Sequence, residues 1–557
     1  MMERKMNSPR EYGLPHDEYR PGQERAITEL VETTPARGVT LVEAPTGSGK
    51  TSFAAANSTR ARVMSLVKTK MLQIANYGEA YRFDVLYGRS NYACAHPMGS
   101  VLGLTANECL HSDNMFKCEY RDRCQYMLNR AAVQASSMSS LNYALYLTAL
   151  WTKENDFAPE VLYLDECHLI PDTVLDFVGT TIQNKTRVRW GLAPFPNIRG
   201  RGTNKFFDDG ASTKTSANDL ALAWLSDSIA RLAAHVEELA RNVKHSHAGN
   251  TDAVKRDIKA GVQAQRLHGK LTNTRQSLLE NDNDWYIRSG GSVPGKTGPH
   301  FVARPLTARW DAPRLFGFNL QRWASVLMSA TVGDHQVLAD ELGIEQHSFM
   351  SVPNQWAAST RPIRVLDAPK MGYKSHQADW DRQADVIADA IQSVPAIWSG
   401  IIHTSSWKQA AELTKRLAER GLGDRVWAYD RANSLGGTDA QVKAWQTRRA
   451  QVPNSLLVSP TTREGYDGVD ERICIVAKTP FPNLGDDYEK ARMAYSGRMY
   501  LQRTAWDLAQ ALGRTRRGSR DQYDVDSTQG LVAIADGNYK KCQKYLPGDI
   551  REALVEG

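Results

Sequence analysis

The chain has 557 residues, more than one ordinary domain holds, so its length predicts several domain-sized units. Its formal net charge of +7 is compatible with a polyanionic partner, although proteins that never contact nucleic acid often carry a balance this mild. No stretch approaches the roughly 18 apolar residues of a membrane span, and no apolar segment follows the first charged residues. These properties argue against the membrane and secreted classes, and we expect a cytoplasmic protein.

Two regions of the chain alternate short apolar strands with helical stretches. In the first region, strands are predicted at residues 39–42, 63–67 and 161–164, a rhythm typical of a parallel sheet covered by helices. From about residue 172 to 305 the pattern becomes polar and helical, with long helices predicted at 217–243 and 254–279. The alternation returns after residue 326. The sequence therefore predicts two α/β lobes and a helical insertion.

A phosphate-binding loop is predicted at residues 41–51, where a strand, a glycine-containing loop and a helix start follow one another. Gly47 and Gly49 let the backbone curl around Ser48, so that its N–H groups converge on a phosphate. Lys50 would reach the β and γ oxygens, and the Thr51 hydroxyl would bind Mg²⁺. The predicted ligands are ATP and Mg²⁺.

A second glycine-rich match at residues 290–297 fits the literal loop pattern but not its chemistry. Gly298 and Pro299 follow at once, so no helix start can face a phosphate, and Pro294 removes an N–H donor. We interpret this segment as a linker.

Two adjacent acids end the strand predicted at 161–164. Asp165 would hold Mg²⁺ through water, and Glu166 would orient and deprotonate the attacking water. His168 would link the nucleotide site to a nucleic-acid site, and Cys167 would pack.

Four of the seven cysteines are concentrated between the phosphate loop and these acids, at Cys94, Cys109, Cys118 and Cys124. In a reducing compartment, such a concentration predicts a metal or cluster site and not a disulfide framework. Four thiolates suit a [4Fe-4S] cluster or tetrahedral Zn²⁺, and the chemistry of the ligands leaves both open.

The run Asp165-Glu-Cys-His168 resembles the DEAH box of superfamily 2 helicases, and other helicase motifs follow in the family's order. The matches are Arg20-Pro-Gly-Gln23 with the N-terminal nucleotide motif, Ser329-Ala-Thr331 with motif III, residues 402–406 with motif IV, Glu464-Gly-Tyr-Asp467 with motif V, and residues 510–517 with the Q-x-x-G-R-x-x-R pattern of motif VI. From about residue 19 to 540, the chain resembles the XPD/DinG iron-sulfur helicases.

The resemblance implies an α/β fold with two RecA-like P-loop motor lobes. Lobe 1 would comprise residues 1–90, 125–171 and 306–335, and lobe 2 residues 336–557. An iron-sulfur domain at 91–124 and a mainly helical Arch-like domain at 172–305 would be inserted into lobe 1. Because the family carries its iron-sulfur domain at this position, the resemblance favours a [4Fe-4S] cluster over zinc.

The resemblance also adds site residues. Gln23 would join the ATP site, as would Glu464, Gly465 and Asp467. From the second lobe, Gln510 would act beside Arg514 and Arg517, whose guanidinium groups would neutralise charge on the transferring phosphoryl group.

The implied function is ATP-driven 5′ to 3′ movement on single-stranded DNA, with unwinding of 5′-tailed or forked duplexes. Single-stranded DNA needs basic groups and aromatic faces, and the candidates are Lys68, Thr69, Lys70, Arg89, Tyr92, Ser405 and Ser406. An RNA or RNA-DNA hybrid translocase and an ATP-gated clamp that does not unwind stay open as alternatives. The chain is compact for a DinG protein, which favours a phage or mobile element in a bacterial host; repair and replication are candidate roles.

Overall fold

The computed structural model describes residues 8–33, 38–109, 118–151, 157, 159–198, 216–245, 251–282, 284–290, 299–319, 322–429, 438–462, 471–513 and 530–556. The predicted site residues Glu464, Gly465, Asp467, Arg514 and Arg517 lie outside these ranges, as does most of the 290–297 match. Among the helices described, none is both long and apolar enough to cross a membrane.

Strands and helices alternate along most of the described chain. In chain order, the strands are β1 (Val39–Glu43), β2 (Val63–Val67), β3 (Asp84–Leu86), β4 (Met138–Asn142), β5 (Val161–Asp165), β6 (Thr180–Gln183), β7 (Trp285–Ser289), β8 (His300–Pro305), β9 (Ala324–Ser329), β10 (Ser348–Ser351), β11 (Ile363–Val365), β12 (Gly400–His403), β13 (Val426–Ala428), β14 (Leu456–Ser459), β15 (Ile473–Val476), β16 (Leu531–Ile534) and β17 (Leu554–Glu556). The α-helices are α1 (Gln23–Thr33), α2 (Lys50–Asn57), α3 (Lys70–Leu72), α4 (Pro97–Val101), α5 (Gln125–Ala135), α6 (Tyr143–Trp151), α7 (Ile170–Val178), α8 (Asn184–Arg189), α9 (Ala217–His245), α10 (Thr251–Glu280), α11 (Ala312–Phe316), α12 (His335–Glu341), α13 (Gln377–Gln392), α14 (Trp407–Leu417), α15 (Thr438–Gln451), α16 (Asp487–Tyr495), α17 (Gly497–Leu512) and α18 (Gly548–Glu552).

The first lobe is built on a seven-stranded sheet in the order β10-β1-β9-β5-β2-β4-β3, with parallel pairing throughout. Every residue of β2 and β5 is buried, as expected for parallel strands covered on both faces. The strands predicted at 39–42, 63–67 and 161–164 are confirmed. Strand β9 lies between β1 and β5, and its register places Ser329 beside Glu43.

The second lobe contains another seven-stranded parallel sheet, ordered β13-β14-β12-β15-β16-β11-β17. The predicted α/β class with two parallel-sheet lobes is confirmed. One detail differs from the expected domain limits. Strand β10, at Ser348–Ser351, pairs with β1, so the first sheet continues beyond the predicted end of lobe 1 at residue 335.

The insertion between the lobe 1 segments combines a helical hairpin with a small sheet. Helices α9 and α10 occupy the two stretches predicted as helical. The antiparallel sheet β6-β8-β7 was not predicted, because its strands are short and two of them flank the polar helices far apart in sequence. Ile258 of α10 packs with Cys94, Leu102 and Leu104, so the insertion contacts the cysteine-containing region.

The two lobes are joined by a buried ionic group at α16. Arg492 lies 2.8 Å from Asp172, near the start of α7, and 4.0 Å from Glu341 of the first lobe. Arg492 and Glu341 are each only 6% exposed. Burial raises the pKa of Glu341 to about 7, although Arg492 and the backbone amide of Ala308 oppose this shift. The contact between the lobes therefore depends partly on the attraction between Arg492 and the carboxylates of Asp172 and Glu341.

Replacing Arg492 by methionine should destabilise the full chain, because it leaves Glu341 buried without its cation. Removing one partner of a buried ion pair typically costs about 3–5 kcal/mol. We expect a clear decrease in the midpoint of thermal unfolding measured by scanning fluorimetry. Arg498→Met is the matched control, since Arg498 is 58% exposed and its ion pairs should contribute about 0–1 kcal/mol. Equal midpoints of thermal unfolding for the Arg492→Met and Arg498→Met variants would contradict a stabilising role of Arg492.

Candidate active site

The predicted phosphate loop leaves β1 and enters α2 as a tight turn. Gly47 and Gly49 have φ of +89° and +79°, a left-handed conformation that glycine adopts without steric cost. Helix α2 begins at Lys50, whose Nζ donates to the carbonyl of Ala44 at 3.1 Å. Thr51 follows in the first turn. The backbone N–H groups at this helix start suit an anion such as a triphosphate.

Gln23 supports this loop from the first helix. Its Nε2 donates to Ser52 Oγ at 2.7 Å, and its Oε1 accepts from the backbone N–H of Arg20 at 2.9 Å. The Arg20 guanidinium donates to the carbonyl of Gly47. A Cβ added to Gly49 would overlap Gln23 Nε2, so this close approach requires glycine. Gln23 therefore packs against the start of α2, and its role in nucleotide binding stays a prediction.

Asp165 ends strand β5 beside the phosphate loop. Its Oδ2 accepts from the Tyr77 hydroxyl at 3.1 Å, and its carbonyl accepts from the Tyr143 hydroxyl at 2.7 Å. Burial, with the neighbouring Glu166 charge, raises the pKa of Asp165 to about 6, whereas the nearby Lys50 ammonium opposes the shift. The charges of Glu166 and Lys50 therefore both act on the Asp165 carboxylate.

Glu166 is held in a backbone conformation that is unusual for its residue type. Its φ is +52°, and a left-handed non-glycine residue costs about 1–3 kcal/mol and is concentrated at functional sites. This conformation brings its carboxylate to the side chain of Ser329, whose Oγ donates to Oε2 at 3.1 Å.

A continuous series of side-chain contacts connects Glu166 to the second lobe. His168 Nδ1 lies 2.8 Å from Ser329 Oγ and 3.2 Å from Thr331 Oγ1. Gln510 of α17 then donates to Thr331 Oγ1 at 3.4 Å. The structure thereby brings together residues predicted separately from the DEAH-like run, motif III and motif VI.

A cleft opens between the lobes beside the phosphate loop. Its lining includes predicted residues, Thr331 and Gln510, with the phosphate-loop residue Thr46. It also includes four side chains that sequence reasoning missed, namely Asn354, Trp356, Arg361 and Asp549. These four lie outside the helicase motifs. A tryptophan and an arginine between β10 and β11 were the signal in the sequence for the first three, and nothing in the sequence indicated Asp549.

Glu43 is a further residue that the motifs did not indicate. It ends the buried strand β1, directly before the phosphate loop, and is only 5% exposed. A charged residue at the end of an apolar strand was the signal in the sequence, since buried carboxylates require partners.

The four clustered cysteines all line one cavity, together with His96, Tyr120 and neighbouring side chains. Burial raises the pKa of the Cys94 thiol, and the Cys124 and Cys118 groups add to the increase. Among the residues described, no three His, Cys, Asp or Glu side chains lie close enough together to hold a metal ion. The structure thus shows a shared cavity and not a preformed coordination site.

The nucleic-acid candidates fall at two separate places. In lobe 1, Lys68, Thr69 and Lys70 are exposed just after β2, and Lys70 Nζ donates to Asn91 Oδ1 at 2.8 Å. In lobe 2, the exposed Ser405 and Ser406 follow β12, where Ser406 Oγ accepts from the Gln409 backbone N–H at 3.1 Å. Both groups lie at the carboxyl ends of strands, where open α/β sheets bind ligands.

Two further candidates lie near the cysteine region and differ in exposure. Arg89 is partly exposed and lies over the Tyr126 ring, 5.6 Å from its centroid. Tyr92 is only 6% exposed, and its hydroxyl accepts from the Tyr87 backbone N–H at 3.0 Å. Its ring is enclosed by protein, which differs from the open face that the predicted base stacking requires.

No protein-family model and no curated protein matches this chain. Two solved XPD structures match it along almost the whole length. XPD_APO is 13% identical, with a TM-score of 0.51, and the match covers 96% of this chain and 100% of that one. XPD_Helicase is 12% identical, with a TM-score of 0.52 and coverages of 97% and 99%. At this identity the comparison shows the fold alone, which is that of two RecA-like α/β lobes.

Proposed function

We propose that this protein is an ATP-dependent DNA helicase that moves 5′ to 3′ on single-stranded DNA. One observation carries the proposal: the contacts from Glu166 through Ser329, His168 and Thr331 to Gln510. They connect a water-activating carboxylate in one lobe to a phosphate-facing side chain of the other. Such a connection is what a motor needs if hydrolysis is to change the relation of its lobes.

ATP would be bound by the phosphate loop and cleaved at the interlobe cleft. The N–H groups around Ser48 and the Lys50 ammonium would hold the phosphates, while Thr51 and Asp165 would hold Mg²⁺. The metal ion would neutralise charge on the phosphate oxygens. Glu166 would orient the water and accept its proton. Glu464, Gly465 and Asp467, which resemble motif V, would complete the nucleotide site.

Arg514 and Arg517 would supply positive charge from the second lobe. Their place in the pattern that begins at Gln510 supports this role, because Gln510 already reaches Thr331 of the first lobe. Guanidinium groups that approach only on lobe closure would stabilise the transition state more than bound ATP, which is how such groups accelerate hydrolysis.

The DNA strand would lie across the carboxyl ends of the two parallel sheets. The exposed positions of Lys68 and Lys70 in lobe 1, and of Ser405 and Ser406 in lobe 2, support this path. Basic groups would bind the phosphates, and Arg89 would extend the path toward the cysteine region. The 5′ to 3′ direction and the choice of DNA rest on the resemblance to the XPD/DinG helicases, with which the shared XPD fold agrees.

The cysteine region would hold a [4Fe-4S] cluster, with zinc as the alternative. Cys94, Cys109, Cys118 and Cys124 line one cavity, and four thiols are the donor set that such a cluster takes. In a domain packed against α10, the cluster would stabilise the fold locally. The cysteine region would then act as a wedge that separates strands, so its loss should impair unwinding more than ATP hydrolysis.

Glu166→Gln should abolish turnover without abolishing nucleotide binding, because the phosphate loop is unchanged. Loss of a general base typically costs about 10²–10⁴-fold in rate, and we expect a decrease of this size in kcat of DNA-stimulated ATP hydrolysis. Fluorescent nucleotide titration should give a Kd close to that of the wild type. Glu345→Gln, an exposed change of the same kind in lobe 1, is the control. A kcat within twofold of wild type for the Glu166 variant would exclude the assigned role.

Strand displacement on tailed duplexes tests direction and substrate together. After anaerobic purification, we expect ATP-dependent unwinding of a 5′-tailed DNA duplex, little unwinding of a 3′-tailed one, and weak activity with an RNA tail. Lys50→Ala should abolish all unwinding. Hydrolysis of ATP without displacement on either tail would refute the helicase function and favour a clamp.

Cys124→Ala and Cys542→Ala distinguish the cluster site from an ordinary buried thiol. We expect about four iron atoms per wild-type chain and an absorbance band near 400 nm, as a [4Fe-4S] cluster gives. Cys124→Ala should lose both and should lose unwinding while retaining DNA-stimulated hydrolysis. Cys542, buried in lobe 2, should be dispensable for iron. Stoichiometric zinc and no iron in the wild type would identify the alternative metal.

A further inference from the structure

The buried carboxylate of Glu43 bridges three separate parts of the chain. Its Oε2 accepts from the backbone N–H of Gly333 at 2.8 Å, just after the motif III match in lobe 1. Its Oε1 accepts from the backbone N–H of Gly548 at 3.3 Å, at the start of α18 in lobe 2. Since Glu43 directly precedes the phosphate loop, a single side chain connects that loop to the C-terminal part of the second lobe.

The same C-terminal segment, residues 547–552, is also attached to the linker between the lobes. Asp549 Oδ2 accepts from Asn354 Nδ2 at 2.8 Å and lies 3.5 Å from an Arg361 guanidinium nitrogen. The Arg361 side chain is only 9% exposed, and its Nε donates to the Trp356 carbonyl at 3.1 Å. The segment is therefore held from two sides, by Glu43 and by the linker.

This segment also forms part of the wall of the interlobe cleft. Asp549 and Ile550 line it together with the phosphate-loop residue Thr46 and with Gln510. The backbone of Gly333 lies very close to that of Tyr545, because a Cβ added to Gly333 would overlap the Tyr545 carbonyl oxygen. A displacement of the 547–552 segment would thus change the position of lobe 2 relative to the phosphate loop.

We propose that Glu43 is a positioning residue, which couples the phosphate loop to lobe 2 through the backbone N–H of Gly548. This contact aligns Gln510 with the nucleotide. The inference rests on the proposed ATPase function for its kinetic consequence, whereas the contact itself is independent of that function.

The coupling requires an acceptor with two oxygens. An ionised carboxylate accepts from both N–H groups, whereas a neutral carboxyl group or an amide has one acceptor oxygen and a donor that conflicts with the second N–H. Burial raises the pKa of Glu43 to about 7; Asp549 adds to the increase, and Arg551 opposes it. The Glu43 charge in turn adds to the raised pKa of the buried Cys167 thiol. Coupling should therefore be present above about pH 7 and lost as the pH falls below it.

Two substitutions remove the contact from opposite sides. Glu43→Gln keeps the size of the side chain but loses one acceptor. Gly548→Pro removes the donor, and proline is tolerated there because Gly548 is the first residue of α18, where the N–H has no helical partner. Pro547 already has φ and ψ of −49° and 146°, the extended conformation that a residue before proline needs. Gly548→Ala retains the N–H, and its Cβ would meet only ordinary contacts.

The kinetic test is a double-mutant cycle on DNA-stimulated ATP hydrolysis. We expect Glu43→Gln and Gly548→Pro each to lower kcat about tenfold, the typical effect of losing a hydrogen bond to a charged group, with little change in KM. The double variant should be no worse than either single one. Gly548→Ala and Glu345→Gln should resemble the wild type. As the pH falls below about 7, kcat should decrease in the wild type and in Glu345→Gln, and Glu43→Gln should lack the part of this decrease that Glu43 causes.

Amide hydrogen exchange measured by mass spectrometry provides a readout that does not need hydrolysis. Glu43→Gln should exchange faster in the peptides that contain Gly333 and Gly548, and Glu345→Gln should not. Unchanged exchange in Glu43→Gln would refute the contact. Additive effects in the cycle, or unchanged kcat despite faster exchange, would refute the positioning role. A wild type without DNA-stimulated hydrolysis would instead refute the proposed function, and the kinetic role with it.

Discussion

The arrangement of the candidate site depends on the parallel pairing of β9 between β1 and β5. These strands come from residues that are far apart in sequence, yet the pairing brings their carboxyl ends to one edge of the sheet. The phosphate loop, the paired acids and Ser329 consequently lie side by side. Almost every residue of these three strands is buried, so a change of register would disrupt side-chain packing on both faces of the sheet. The site is therefore as rigid as the sheet itself.

The contacts between the lobes include polar ones, beside an apolar core to which both lobes contribute. Arg492 with Glu341, Glu43 with Gly548, and Thr331 with Gln510 are all buried or partly buried hydrogen bonds or ion pairs. Burial of charges contributes little net stability, because the desolvation cost offsets much of the attraction. What these polar contacts provide is a defined geometry between the lobes.

The insertion adds a second connection between distant segments. The α9–α10 hairpin begins and ends near the small sheet β6-β8-β7, and its α10 side packs on the region of Cys94. At the base of the insertion, the Tyr488 hydroxyl of α16 donates to the Pro305 carbonyl at 2.6 Å, which joins lobe 2 to the same unit. A motion of lobe 2 would therefore be transmitted to the base of the insertion and, through α10, to the cysteine region.

The sequence by itself determined the local chemistry of this protein. Gly47, Gly49 and Lys50 predict a phosphate loop because only certain residues permit that backbone, and Asp165 with Glu166 ends an apolar strand whose pattern is visible in a short window. Only the tertiary structure decided which distant residues meet. Glu43, Asn354, Arg361 and Asp549 belong to no short motif, and strand β10 joins the first sheet across about 300 residues of chain. Pairings of this kind depend on the packing of whole lobes, which no local pattern encodes.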